Sequence, residues 1–570
     1  MDNLRFPLLV AFAVVSFFLY QAWQEDYAPK PVAASSSDLE TPAVAEPELA
    51  IPTVDTANSA ETPSADVPQS NEAATAPVET TPSGKSIRVE TDLVIAEIST
   101  KGAALQRMIL KQYAKDTTKP EGPRYQLLNN RLPYYFVAQT GLVSASGNAP
   151  NHLETFVAEK QNYAMAEGSD TLEVALNWQG ENGLRVRRVL TFTRGSYEIL
   201  VRDEVSNNGS DAWTGAQYTQ LQRSEAALGS DVPFVQTYNG TAIYQKEKED
   251  SYKYRKYDFD DLNEASVEQR FNGGWVAMVQ HYFFGAAVPA DDKANNRYYL
   301  KSANNGRYLA GFVGPNQNVA PGQTQTYNTR FYLGPKLQEE LEAIAPGLPY
   351  TVDYGILTVF SKPMFWLMSK MYGVVNNWGV VIILITLLIK LGFYKLSEAQ
   401  YRSMAKMRKF APRIKTLRER HADDRQKMNQ AMMDLYKKEK FNPLGGCLPM
   451  LVQIPVFIAL YWVLLESVEL RGAPFALWIQ DLSTQDPYYI LPLALGAAMF
   501  FQQRLSNQAM SMDPMQAKIM QYMPVMFCVF FAFFPAGLVL YWFMNTLLGM
   551  LQQLYITKKV EAEDKAKAKG

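Results

Sequence analysis

The stretch GVVIILITLLIKLGFYKL, residues 379–396, decides how this 570-residue chain is read. Eleven uncharged residues, Gly379 to Ile389, run before Lys390 appears, still inside apolar sequence. A helix crosses about 30 Å of hydrocarbon with roughly 20 predominantly apolar residues, so Trp378 to Leu396 is expected to be a membrane span. A cation at the centre of such a helix costs about 2.5 to 3.5 kcal/mol on insertion scales, and intramembrane charges usually face a wet interior and carry function. The plainer reading is snorkelling. Trp378 to Lys390 is roughly 18 Å of helix, which leaves the ammonium about 8 to 10 Å from the cytoplasmic boundary, a gap that its stem partly covers.

Moving outward, four more crossings are expected near Leu444 to Leu465, Tyr489 to Arg504, Ile519 to Phe534 and Ala536 to Ile556, the last two joined by the tight turn FFPAGL. Residues 1–23 supply a sixth. They are read as a retained anchor because the run leaves through Tyr20, Trp23, Glu25 and Asp26 without a small-x-small cleavage site. Residues 353–375 mix aromatics with Lys362, Pro363 and Lys370 and read as an amphipathic helix lying in the interface.

The net charge of −2 conceals a segregation. Residues 24–84 hold eleven acidic side chains and one basic, with almost no large apolar groups; such a stretch cannot offset its ordering entropy and reads as a disordered linker. Residues 85–345 alternate like strands. In YEILVRDEV, Tyr197, Ile199, Val201 and Val205 share one face, and Glu198, Arg202 and Glu204 the other. Many such runs between Gly, Asn and Pro turns predict a large antiparallel β-sandwich. The dense charge cluster KEKEDSYKYRKYDFDDL reads as a solvated loop, and KLQEELEAI as a short helix.

Residues 398–441 carry thirteen basic and six acidic side chains, and lysines crowd the tail, 557–570. Basic short loops stay in the cytoplasm, so both termini belong there and the β domain lies across the membrane, in the periplasm of a bacterium. The segment 398–441 reads as a helical hairpin with Asp423 or Asp424 capping its second helix. Tyr401 and Met404 of the first helix would face Met428 and Met432 of the second. The methionines serve either pair packing or an adaptable apolar surface, and the basic charge suits anionic lipid or ribosomal RNA.

The inventory excludes several chemistries. His152, His281 and His421 all fall outside the expected spans, so neither a Ser-His dyad nor a zinc site sits in the bilayer. No aspartate lies in a span, no phosphate-cradling Gly-rich loop occurs, and Cys447 and Cys528 have no ligand company. No cofactor, metal or enzymatic activity is expected. What remains is Lys390, with Thr386 one turn earlier and Gln453, Gln502, Gln503, Gln521 and Asn545 as further polar groups. If these converge, they make a recess open to the cytoplasm. A channel or transporter, which would need paired intramembrane charges, and a membrane-anchored periplasmic binding or scaffold protein stay open as alternatives.

The segments NPLGGCLPMLVQIPVFIALYWVLL, ELRGAPFALWIQDLSTQDPYYILP, DPMQAKIMQYMPVMF and FPAGLVLYWF span most of residues 376–556, and FNGGWVAMVQHYFFGAAVP lies in the β region. In them the chain closely resembles the YidC family of bacterial membrane protein insertases, in its Gram-negative form. The resemblance implies a multi-pass α-helical membrane protein of six transmembrane helices, five of them (376–556) forming a core around a hydrophilic groove, with a large periplasmic antiparallel β-sandwich. It implies an inner-membrane insertase and chaperone acting on nascent inner-membrane proteins, alone or with the Sec translocon, and receiving ribosome–nascent chain complexes. In the family an arginine marks the groove; Lys390 stands in its place, which keeps the charge and loses the planar five-donor fork. Thr386, Tyr541 and Trp542 match positions along the family's substrate path.

Overall fold

The computed structural model describes residues 84–145, 147–226, 237–248, 251–303, 306–420, 424–438, 448–507 and 514–569. The expected anchor, the linker up to residue 83, and the side chains of Met404 and Met432 lie outside what is described.

Alternation builds two sheets. In spatial order the first runs Val267–Asn272, Asn295–Ala303, Arg307–Val313, Trp213–Ser224, Phe136–Val143, Leu105–Ala114, Val94–Ser99, Ser86–Glu90 and Asn162–Ala164, with two short strands paired off this path. The second runs Ser251–Tyr257, Gly240–Lys248, Trp275–Val279, Phe283–Pro289, Thr324–Pro335, Glu198–Asn207, Leu184–Thr193, Thr171–Gln179 and Val157–Ala158. Pairing is antiparallel except where Ser86–Glu90 meets Asn162–Ala164. Ile199, Val201 and Val205 are buried in the apolar core between the sheets, as the alternation requires. The same phase carries Asp203 inward, directly opposite Arg188 on the neighbouring strand. The expected solvated loop is a correction: Ser251–Tyr257 is a strand paired with Gly240–Lys248. Its apolar side stands on aromatic contacts, Tyr254 lying against Trp275 with ring centroids 5.9 Å apart, while Lys253 is exposed.

A short helix α1 (Phe259–Glu264) interrupts the sandwich, and α2 (Gln338–Ile344) leads out of it. The helical part follows as α3 (Thr358–Val375), α4 (Trp378–Gly392), α5 (Tyr394–Arg420), α6 (Arg425–Lys438), α7 (Leu448–Glu466), α8 (Ile490–Asn507), α9 (Pro514–Phe531) and α10 (Ala536–Lys569). Two asparagines make the corner between α3 and α4. Asn376 ends α3 in the left-handed region at φ 56°, which Asn tolerates better than most residues. Asn377 caps α4, its side chain accepting from Val380 N at 3.0 Å. Asp424 caps α6 through the N–H groups of Gln426 and Lys427.

Among the described residues no single helix is long and apolar enough to cross a membrane; α4 and the start of α5 meet that test together but bend by 64°. The expected span 378–396 therefore ends as a helix at Gly392, and the chain turns at Phe393.

The segment between α7 and α8 folds back over one end of the bundle. Asp481 Oδ1 accepts from Gly472 N, Ser483 N and Ser483 Oγ; Asp486 accepts from Trp478 Nε1, Tyr488 N and Leu491 N. Leu482 O accepts from Gly537 N at 2.8 Å, and Asn377 Nδ2 donates to Phe475 O at 2.9 Å. Trp378, Ile382, Leu470, Leu482 and Phe534 make this end a dry apolar core.

The sandwich is seated on this segment, on the last turn of α7 and on the stretch before α3. Arg471 Nη2 donates to Ala114 O at 2.8 Å while its guanidinium lies 5.4 Å from the Phe283 ring centroid and 5.6 Å from that of Tyr125. His281 Nε2 bonds Leu465 O at 3.1 Å, and Lys256 pairs with Asp353 at 2.6 Å.

Candidate functional site

The end of the bundle opposite that loop is polar. Lys390 lies in the last turn of α4, and its ammonium is directed toward α10. Gly549 of α10 leaves the room: a methyl group at its Cα would stand 3.4 Å from Gln502 Nε2, 3.5 Å from Lys390 Nζ and 3.8 Å from Tyr401 Oη. Four elements thus meet at one point: α4 brings the cation, α8 the amide, α5 the phenol and α10 the gap. Tyr401 Oη donates to Gly549 O at 3.1 Å, and Gln552 Nε2 donates to the Lys390 carbonyl at 3.4 Å. Tyr401 packs with Ala405, Ile556 and Val560 and so turns to α10. Met428, half-buried on α6, is not in that cluster.

Thr386, one turn before Lys390, is buried and gives its hydroxyl hydrogen to Ile382 O of its own helix at 2.6 Å. Gln453 is half-buried in the first half of α7.

Tyr541 and Trp542 lie two turns before Gly549 on α10, roughly 12 Å along the axis. Phe457 of α7 faces both, with ring centroids 5.5 Å from Tyr541 and 4.2 Å from Trp542, and Phe531 of α9 stands 5.1 Å from Trp542. The expected site residues therefore form two levels. A polar level holds Lys390 with Gln502 and Tyr401, and an aromatic level holds Tyr541 and Trp542. Sequence reasoning did not find Gly549. The signal available was a glycine within LLGML, where a helix pays about 1 kcal/mol for it relative to alanine.

Outside the bundle, burial and the neighbouring Lys336 and Arg471 lower the pKa of His281 to about 3, so its ring is neutral. The Leu465 carbonyl places the proton on Nε2, and Nδ1 is buried with no partner. Among the described residues no cluster of metal-ligating side chains occurs.

The fold and site together define a two-sheet β domain seated on a bundle of largely apolar helices, with an apolar core at one end of the bundle and a half-buried cation turned toward α10 at the other. The YidC periplasmic domain description matches residues 86–367, and that of the 60Kd inner membrane protein matches residues 370–564. Membrane protein insertase YidC of Nitrosococcus oceani is 46% identical over 573 residues, covering 99% of this chain and 100% of the relative. That of Methylococcus capsulatus is 45% identical over 569 residues, covering 98% and 99%. A crystal structure described as active YidC insertase with the first transmembrane domain resolved superposes with a TM-score of 0.38 at 17% identity, over 83% of this chain and 93% of the other. The chain belongs to the YidC family: a periplasmic β-rich domain joined to an inner-membrane protein.

Proposed function

We propose that the protein inserts nascent inner-membrane proteins and helps them fold, by a non-covalent route through a hydrophilic groove that carries the Lys390 charge. In this reading α4 with the start of α5, α7, α8, α9 and α10 are the five core crossings and residues 1–23 are the sixth. Both termini lie in the cytoplasm. Helix α3 lies in the interface, a role supported by exposed Val359, Trp366 and Val374. The observation that carries the reading is the ammonium turned inward beside Gln502 and Gly549.

The physics is that of a charge where dielectric is low. A client carboxylate about 6 Å from the ammonium, at an effective dielectric near 20, gains about 3 kcal/mol. That offsets a good part of bringing a short acidic tail into the bilayer region. The client's apolar helix then leaves sideways into lipid, driven by burial of its surface, past Tyr541 and Trp542. The dry loop-covered end opposes a continuous pore. The basic helices α5 and α6 would meet ribosome–nascent chain complexes and anionic lipid, and the Sec translocon would share longer clients.

The test is photocrosslinking from positions 386, 390 and 542 to a stalled nascent membrane protein, with insertion measured in cells depleted of their own insertase. Lys390→Arg retains activity, whereas Lys390→Glu slows insertion of clients with acidic tails by about tenfold or more. Normal rates for both Lys390→Ala and Lys390→Glu with every client would refute the charge mechanism.

A further inference from the structure

A cavity of about 830 Å³ opens where the sandwich meets the segment between α7 and α8. Its wall carries Arg107, Lys115, Arg124 and Arg471 against a single acid, Asp116. Lys115 and Arg124 are exposed. Arg107 is paired with Glu97 at 2.9 Å, yet its Nε is buried with no partner. His281 also lines the cavity and brings the orphan Nδ1 acceptor described above. A complementary ligand therefore supplies negative charge together with N–H or O–H donors. Acidic polypeptide answers both, through its carboxylates and backbone N–H groups; hydrogen phosphate also carries charge and O–H donors, but only the polypeptide is part of the chain itself.

The chain itself carries such a polypeptide. Residues 24–84 hold eleven acidic side chains and one basic. That segment enters the sandwich at Ser86, which pairs with Ser99 on the strand whose Ile95 lines the cavity. Four residues separate Ser99 from Ile95, roughly 13 Å along a strand. Glu79 stands five residues before Gly84 and Glu72 twelve. A chain of twelve residues reaches at most about 40 Å, so the carboxylates of Glu72 and Glu79 are within reach of the cavity from Gly84.

We infer that the cationic cavity between the sandwich and the segment joining α7 to α8 is a docking site for this chain's own acidic linker, through the stretch around Glu72 and Glu79. Docking shortens the tether between the N-terminal segment and the sandwich, and it fills a cavity that would otherwise collect other acidic polymers.

The experiment uses the full chain in phospholipid nanodiscs with a benzoylphenylalanine at Tyr134 on the cavity wall; photoproducts are mapped by mass spectrometry. The expected product joins position 134 to a peptide within residues 55–83 of the same chain. Its yield falls about tenfold in Glu72→Lys/Glu79→Lys and equally in Lys115→Glu/Arg124→Glu. It returns when the two pairs are combined, and it declines between about 0.1 and 1 M salt. Because Lys115 and Arg124 are exposed, an unchanged melting temperature certifies folding of the reversal variants. Photoproducts on phospholipid or on a second chain, yields within about twofold across the charge variants, or failure of the combined variant to recover would each overturn the assignment.

Discussion

Removing Arg188 while leaving Asp203 is expected to be the most damaging single change in the sandwich. Both side chains are fully buried, and they meet as a fork, Nε to Oδ1 at 2.7 Å and Nη2 to Oδ2 at 2.9 Å. Nη1 donates to Gly102 O and Thr140 O, each at 2.9 Å, so the guanidinium ties the turn at Gly102 and the middle of strand Phe136–Val143 to the pair. In Arg188→Met the carboxylate keeps one donor, Gln217 Nε2 at 3.0 Å, and both carbonyls lose theirs. Breaking a buried pair costs about 3 to 5 kcal/mol. At about 2 to 4 °C per kcal/mol for a domain of this size, the melting temperature falls by roughly 6 to 20 °C. The assay is differential scanning calorimetry of the purified full chain in detergent, following the β transition. Arg188→Met/Asp203→Leu removes both charges and is expected to melt above Arg188→Met, because no bare carboxylate remains in the core. A shift below about 3 °C for the single variant, or a double variant no more stable than the single, would refute this account.

The remaining tests are briefer. His281 is neutral when folded and titrates near 6.5 when unfolded, so its contribution is whole above about pH 6.5 and is lost as the pH falls toward 3. It faces Lys336, Arg471 and Glu466, the last with Oε1 3.9 Å from Nε2. Relative to His281→Gln, the wild-type chain should lose about 1.4 kcal/mol per pH unit below 6, read from melting temperatures at pH 7, 6 and 5. Gly379 touches the Phe475 ring so closely that a β-carbon has no space; Gly379→Ala should lift the loop off α4, seen as faster proteolysis between 467 and 489. Thr386→Val deletes a hydroxyl whose hydrogen already goes to Ile382 O, so insertion should stay within about twofold of normal; a larger loss would mean that the hydroxyl meets the client. Arg402 grips Glu563 with Nη1 at 2.7 Å and Nη2 at 3.1 Å. Arg402→Glu should leave the melting temperature nearly unchanged and expose the end of α10 to trypsin.

Strand alternation made the sandwich legible, and more was available in it than was taken. The same phase that buries Val201 and Val205 buries Asp203, and the phase of Val186 and Leu190 buries Arg188, so two opposite charges stood on inward positions in plain view. The cluster at 251–257 failed for the opposite reason: its charge density masked an alternation of Tyr252 and Tyr254 with Lys253 and Arg255. In the bundle, Lys390 stood out because charge is rare in apolar runs. Its partners did not, since Gln502 and Gly549 are 112 and 159 positions away and no periodicity links separate helices. The contact of Tyr401 with Ile556 and Val560 of α10 was not legible either, because 155 positions or more separate them and only packing brings them together. The seat of the sandwich was invisible for the same reason: Arg471 and Ala114 lie 357 positions apart.

Helix α10 runs without interruption from Ala536 beside the dry end of the bundle to Lys569, 34 residues or about 51 Å. Anything attached at the carboxyl end is therefore mounted on a rigid shaft. Each residue added within the helix turns the attachment by about 100° and advances it by about 1.5 Å, so fusion partners spaced by two residues point to opposite sides of the molecule. A fluorescent reporter placed there would read the rotational setting of the shaft as much as the presence of the protein.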